Sequence, residues 1–226
     1  MYKKLILIAG PTASGKSKLA IHLSKKLNGE IINADSMQIY KEFSILSSRP
    51  TKNEEKKIKH HLYGFISVRK RFSAGDWLKL AKVKINNCYK NKKIPIIVGG
   101  TGLYFNTITK GISKIPNIDL KTRYKVRSLF KNLGQNNFYN KLLEIDPKIK
   151  NTILPTDSQR TQRAYEVILK TKKSLVDWMK ETKSEFTNFE IRKIFLNIPR
   201  EALLKKISKR TNLMFKNKCL EEVKKF

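Results

Sequence analysis

Short apolar runs alternate with stretches of helical spacing through the first half of the chain. Residues 5–9 (LILIA) are five apolar positions closing on Gly10-Pro11, which predicts a buried parallel strand. From residue 16 to 27 the apolar positions are Leu19, Ala20, Leu23 and Leu27, the spacing of a helix face. Residues 30–34 form a second strand, closed by Asp35. Residues 75–89 read as a helix through Trp77, Leu78, Leu80, Ala81 and Ile85, and residues 94–98 as a third strand closed by Gly99-Gly100. This alternation predicts an α/β fold, a parallel sheet with helices on both faces.

The texture changes after Pro116. Residues 117–189 carry mostly helical periodicity; residues 190–198 read as a strand again, and a helix follows Pro199. The expected layout is a core in two parts, 1–116 and 190–226, interrupted by a mostly helical insertion at 117–189. The start, MYKKLILIAGP, has too few apolar residues for a signal peptide or a membrane span. The expected setting is therefore the cytoplasm, with no membrane contact.

Composition sharpens the list of partners. The 226 residues carry 49 Lys and Arg against 18 Asp and Glu, a formal charge of +31, which favours a polyanion such as nucleic acid. Only ten of the basic residues are Arg, and a genome rich in A and T produces the same Lys-heavy bias without any function. Motifs have to decide. Cys88 and Cys219 form no CxxC pair, so two reduced, inert thiols are expected. His60 and His61 lack further ligands at zinc spacing. Trp77, Phe72 and Tyr89 suit a core, and the Lys-rich stretch 52–59 suits a solvated helix face.

Gly10-Pro11-Thr12-Ala13-Ser14-Gly15-Lys16-Ser17 matches GxxxxGK[ST] between a strand and a helix. The glycines let backbone N–H groups turn toward phosphate oxygens, and the helix that begins here adds its positive end. Lys16 supplies a cation for the terminal phosphate, and the Ser17 hydroxyl a ligand for Mg²⁺. The motif predicts a P-loop NTPase-like sheet and a bound diphosphate. It does not say whether that group is cleaved, transferred or expelled, so a kinase is one reading.

The second strand runs into Asn33-Ala34-Asp35-Ser36-Met37-Gln38-Ile39-Tyr40, and the third into Val98-Gly99-Gly100-Thr101-Gly102-Leu103-Tyr104. With GPTASGKS, with His60-His61-Leu62, Phe72 to Trp77, Asp146-Pro147 and Asp157 to Ala164, and with Arg210, Met214, Phe215 and Glu222-Val223, these segments closely resemble the tRNA dimethylallyltransferase (isopentenyltransferase) family, in order and along essentially the whole chain. Departures are small: Ser17 stands for the more frequent Thr, Ser48-Arg49-Pro50 for Ala-Lys-Pro, and Tyr165 for Leu. Family members are longer, so the resemblance implies that a C-terminal part is lacking.

The resemblance implies a reaction. The N6 amine of adenine 37, beside the anticodon of tRNA, attacks C1 of dimethylallyl diphosphate, and diphosphate leaves. The base is flipped out to meet the donor, which is cheapest in an unpaired loop. The implied partners are tRNA and dimethylallyl diphosphate, with Mg²⁺ as cofactor, and a monomer is expected. Asp35 is implied as the base or acceptor for the amine; a Mg²⁺ ligand and a helix cap are the competing readings of a carboxylate at that position. Thr101 is implied as a contact near the reacting centre, or a helix N-cap. Asp35, Ser36, Met37, Gln38, Thr101, Arg123, Gln159, Arg160, Thr161, Gln162 and Arg163 are the implied tRNA contacts, Gln38 offering an amide to an adenine edge. Three other readings stay open: transfer to a free adenine nucleotide, a small-molecule kinase, and a tRNA-binding protein without catalysis.

Overall fold

The computed structural model describes residues 3–225; Phe226, where the expected last helix stops, lies outside them. The chain divides into two compact units. One comprises residues 1–109 and 185–226, the other residues 110–184.

In the first unit the order is β1 (Lys3–Ala9), α1 (Lys16–Lys26), β2 (Gly29–Asn33), α2 (Lys52–Lys57), β3 (His60–His61), α3 (Ala74–Lys90), β4 (Ile94–Gly99) and α4 (Gly102–Thr109). All the strand pairings are parallel. Successive side chains of a strand point to opposite faces, and β1 shows both faces filled. Leu5 and Leu7 join Ile32, Ile97, Trp77, Ala81, Ile85, Tyr104 and Ile108 under α3 and α4. Ile6 and Ile8 join Ile31, Ile96, Val98 and Ala20 under α1. A strand buried on both sides has to be apolar at every position, which is why LILIA could be read as parallel. The edge strand β3 is too short to announce itself. It is tied to β2 by a buried hydrogen bond between His61 Nε2 and Glu30 Oε2, 2.6 Å, with the Cys88 Sγ 3.6 Å from the same oxygen. Burial, helped by the Glu30 carboxylate, pushes that thiol up to about 12, so it stays protonated and inert.

The second unit is helical: α5 (Leu120–Ile145), α6 (Ser158–Thr171) and α7 (Leu175–Lys180), with a 3-10 turn at Pro147–Asn151. α5 is broken at Gly134, whose φ of 68° no helix accommodates. Its core is separate and built from Val126, Phe138, Tyr139, Leu142, Ile149, Ile153, Ala164 and Tyr165. Asp119 caps α5 by accepting from Thr122 N at 2.7 Å, and Asp157 caps α6 by accepting from Arg160 N at 3.0 Å.

The chain then returns to the first unit as β5 (Phe189–Phe195), which pairs along the whole of β1 and completes the order β3-β2-β4-β1-β5. α8 (Arg200–Lys216) and α9 (Cys219–Lys224) follow. Among the described residues no helix is long and apolar enough to cross a membrane.

Candidate active site

The carboxyl ends of β1, β2 and β4 converge on one cavity of 470 Å³. In a parallel α/β sheet this is where ligands bind. The loop between β1 and α1 forms its floor. Gly15 takes φ 91° as the residue before α1, a conformation that suits glycine, and no acidic residue occupies the first turn of α1. The positive end of that helix is therefore not neutralised from within. Lys16 Nζ folds back on the loop and donates to Pro11 O at 2.5 Å. Burial lowers its affinity for the proton; Asp35 partly restores it, and Arg210 opposes again. A partly desolvated cation beside a guanidinium is a site that an anion would relieve. Ser14 Oγ, within the loop, is buried and has no hydrogen-bond partner among the described residues. Thr12 to Lys18 all line the cavity, whereas Gly10 and Pro11 are not among its lining residues.

Asp35 enters the same cavity from the end of β2, and its position is heavily constrained. Its N–H donates to Asn33 Oδ1 at 2.8 Å, while Asn33 Nδ2 donates to Asp35 O at 2.9 Å and to Leu62 O at 3.0 Å. The buried Trp77 indole donates to Asn33 O at 2.8 Å. Asp35 Oδ1 accepts from Met37 N at 2.9 Å, which leaves Oδ2 for a ligand. Next door, Gly99 has no room for a side chain. A Cβ there would sit 2.1 Å from the carbonyl of Ala34.

Thr101 is not among the cavity-lining side chains. Its hydroxyl accepts from Ser36 N at 2.8 Å and donates to Ser36 Oγ at 3.2 Å, and its carbonyl accepts from Tyr104 N and Phe105 N in the first turn of α4. It therefore reaches the site through the segment that follows Asp35. Met37 and Gln38 do line the cavity. Gln38 differs from its expected role in one respect: its amide N–H groups are spent on Ser47 O at 3.0 Å and Ser48 O at 2.8 Å, so only its oxygen faces a ligand. Sequence reasoning did not anticipate Phe43, Leu46, Ser47, Ser48, Tyr63 and Arg210 as wall residues. Arg210 comes from α8, nearly two hundred residues from the loop it joins, and no local pattern marks it.

The remaining candidates belong to the second unit. Gln159 and Arg160 are exposed, and Arg160 pairs with Asp157 at 3.3 Å. Gln162 donates to Ser158 O, and Arg163 pairs with the buried Glu166 at 3.4 Å. Thr161 turns inward: it is fully buried and its hydroxyl donates to Asp157 O at 2.6 Å, so it holds the helix and offers nothing to a ligand. Arg123 is half-buried, and its Nε has no hydrogen-bond partner among the described residues.

The chain matches the sequence model of the IPP transferase family over residues 38–226. It is 54% identical to a tRNA dimethylallyltransferase of Pelagibacter ubique over 223 residues, covering 99% of this chain and 71% of that protein. A tRNA dimethylallyltransferase of Rickettsia bellii is 40% identical over 98% of this chain and 70% of its own. Among solved structures, a eukaryotic dimethylallyltransferase acting on tRNA superposes with a TM-score of 0.86 at 30% identity, covering 99% of this chain. This chain spans 55% of the length of that protein. The full-length tRNA isopentenylpyrophosphate transferase of Bacillus halodurans gives a TM-score of 0.66 at 31% identity, covering 99% of this chain and 69% of that one.

Proposed function

The chain belongs to the IPP transferase family, and we propose that it transfers the dimethylallyl group of dimethylallyl diphosphate to N6 of adenine 37 in tRNA, releasing diphosphate. The observation that carries this reading is that the phosphate loop with Lys16 and the carboxylate of Asp35 face one cavity. A departing diphosphate and an incoming amine need those two groups a short distance apart.

The donor's diphosphate sits on the loop N–H groups and the start of α1, with Lys16 and Arg210 compensating its charge. Phe43, Leu46, Tyr63 and Val98 give the dimethylallyl chain a largely apolar wall and keep water from C1. The adenine amine attacks C1, the C1–O bond breaks, and its electrons leave on diphosphate. Asp35 Oδ2 accepts the N6 proton as positive charge develops on that nitrogen. Because Asn33, Leu62 and Trp77 already hold the residue in place, little reorganisation is needed at the moment of reaction.

Mg²⁺ fits the exposed Ser17 hydroxyl, which faces the cavity from the phosphate loop; when bound there it would offset charge on the diphosphate oxygens. On this reading Arg123, Gln159, Arg160, Gln162 and Arg163 contact tRNA, and the protein acts in the cytoplasm as a monomer. Incubation with labelled dimethylallyl diphosphate and tRNA tests the reaction. Label in tRNA, and none in AMP supplied alongside, is expected. Label in AMP alone, or γ-phosphate transfer from ATP in a parallel arm, would replace it with one of the rival activities.

A further inference from the structure

The segment that carries Phe43, Leu46, Ser47 and Ser48 into the cavity has no regular secondary structure, so something else must hold its shape. One side chain does so from almost the other end of the chain. Glu222, on α9, receives Ser44 N at 2.6 Å and Ser44 Oγ at 2.8 Å on Oε1. Ile45 N lies 2.9 Å from Oε1 and 3.1 Å from Oε2, and Leu46 N donates to Oε2 at 3.0 Å. Three consecutive backbone N–H groups and a hydroxyl thus converge on one carboxylate. Such a row of N–H groups forms an anion-binding nest, here filled by the protein itself. The other end of the segment is pinned by the Gln38 amide at the carbonyls of Ser47 and Ser48. Turn hydrogen bonds from Ser48 N to Ile45 O and from Arg49 N to Ser44 O close the middle.

We propose that Glu222 is a positioning residue for the prenyl donor: by filling the nest of Ser44, Ile45 and Leu46 it sets the apolar wall of the active-site cavity. The inference rests on the transfer reading for the identity of the donor and on geometry for the rest. Glu222 touches no reacting atom. Its carboxylate fixes where Leu46 and Phe43 stand relative to the phosphate loop, and the loop itself makes no use of it. Binding of the dimethylallyl end therefore depends on the docking of α9, whereas binding of the diphosphate end does not.

Calorimetric titration of the full chain with two probes separates these ends: inorganic pyrophosphate, and the unreactive thiolo analogue of dimethylallyl diphosphate. In Glu222→Ala the analogue is expected to bind about 10-fold or more weakly, since a set of charge-assisted hydrogen bonds is lost, while pyrophosphate affinity stays within about two-fold. Glu222→Gln, which keeps the shape and loses the charge, should fall between Ala and the parent, and it carries the test if the Ala variant does not fold. Equal losses for both probes would mean general damage and would overturn the proposal, as would unchanged affinity for the analogue. Hydrogen exchange at the amides of residues 44–46 gives a reading free of any donor. Acceleration in Glu222→Gln supports the nest, and unchanged exchange removes it. A parent that binds pyrophosphate but not the analogue would instead count against the transfer reading, leaving the exchange result to judge Glu222.

Discussion

Gly99→Ala is the most demanding test of how the sheet places Asp35. A methyl carbon built at Gly99 lies 2.1 Å from both the carbonyl carbon and oxygen of Ala34, and 2.7 Å from Asp35 N. Ordinary carbon contacts begin near 3.5 Å, so the ends of β2 and β4 must separate by more than about 1 Å. No flexible side chain can yield there, because every atom in the way is backbone. The hydrogen bonds at risk are Ala34 N to Val98 O at 2.8 Å and Thr101 N to Ala34 O at 3.1 Å. Overpacking in a well-filled interior costs about 1–3 kcal/mol, and this case belongs at or above the top of that range. With a urea m value of about 2 kcal/mol/M, the midpoint should fall by about 1.5 M. Trp77 is a built-in reporter, since its indole is bonded to Asn33 O just before the strained peptide. Fluorescence-detected unfolding in a Trp178→Phe background reads it alone. Gly102→Ala is the control: nothing lies within 4 Å of its new Cβ, so the variant should match the parent or gain up to about 1 kcal/mol. If Gly99→Ala unfolds at the parent midpoint and keeps parent turnover, the close approach of the two strand ends does not hold Asp35, and the reasoning fails.

The remaining expectations concern chemistry and pH. Asp35→Ala should lower turnover by about 10²–10⁴-fold while tRNA affinity, measured by filter binding, stays near that of the parent; equal turnover would remove Asp35 from the mechanism. Lys16→Ala should raise KM for the prenyl donor by about 10–100-fold through loss of a charged contact to diphosphate, with tRNA affinity little changed. His61 is held neutral: burial lowers its proton affinity more than the hydrogen bond and charge of Glu30 restore it. The unfolded chain therefore takes up a proton near pH 6.5 that the folded chain refuses until lower pH, so stability should fall as pH drops from 6.5 toward the folded value. His61→Gln should flatten that part of the curve of melting temperature against pH; an unaltered slope would place the effect elsewhere.

The parts of the fold legible in sequence were those whose cause is local. β1, β2 and β4 announce themselves because burial on two faces concentrates apolar residues into short runs at 5–9, 31–32 and 94–98, the buried Glu30 and Asn33 of β2 being hydrogen-bonded. The phosphate loop is legible because eight consecutive residues make it. β3 was not, since two residues carry no period, and its reason to exist is the His61–Glu30 bond across 31 residues. Arg210 joins the cavity only through the return of the chain as β5 and α8. Gln38 is the instructive middle case. Its position in the site was legible, but the carbonyls of Ser47 and Ser48 that consume its donors become visible only once the loop is folded.

The strand order has a consequence for reach. β2 and β1 are separated by β4 alone, so Asp35 and the phosphate loop stand two lattice steps apart, about 9–10 Å at the spacing of paired strands. Between them β4 ends in a residue with no side chain at all, so the ends of β2 and β4 close up backbone to backbone and leave no space for even a methyl group. The distance between the two groups is thereby counted in strands. Side-chain substitution can tune the endpoints, but only re-threading the sheet could lengthen or shorten the gap.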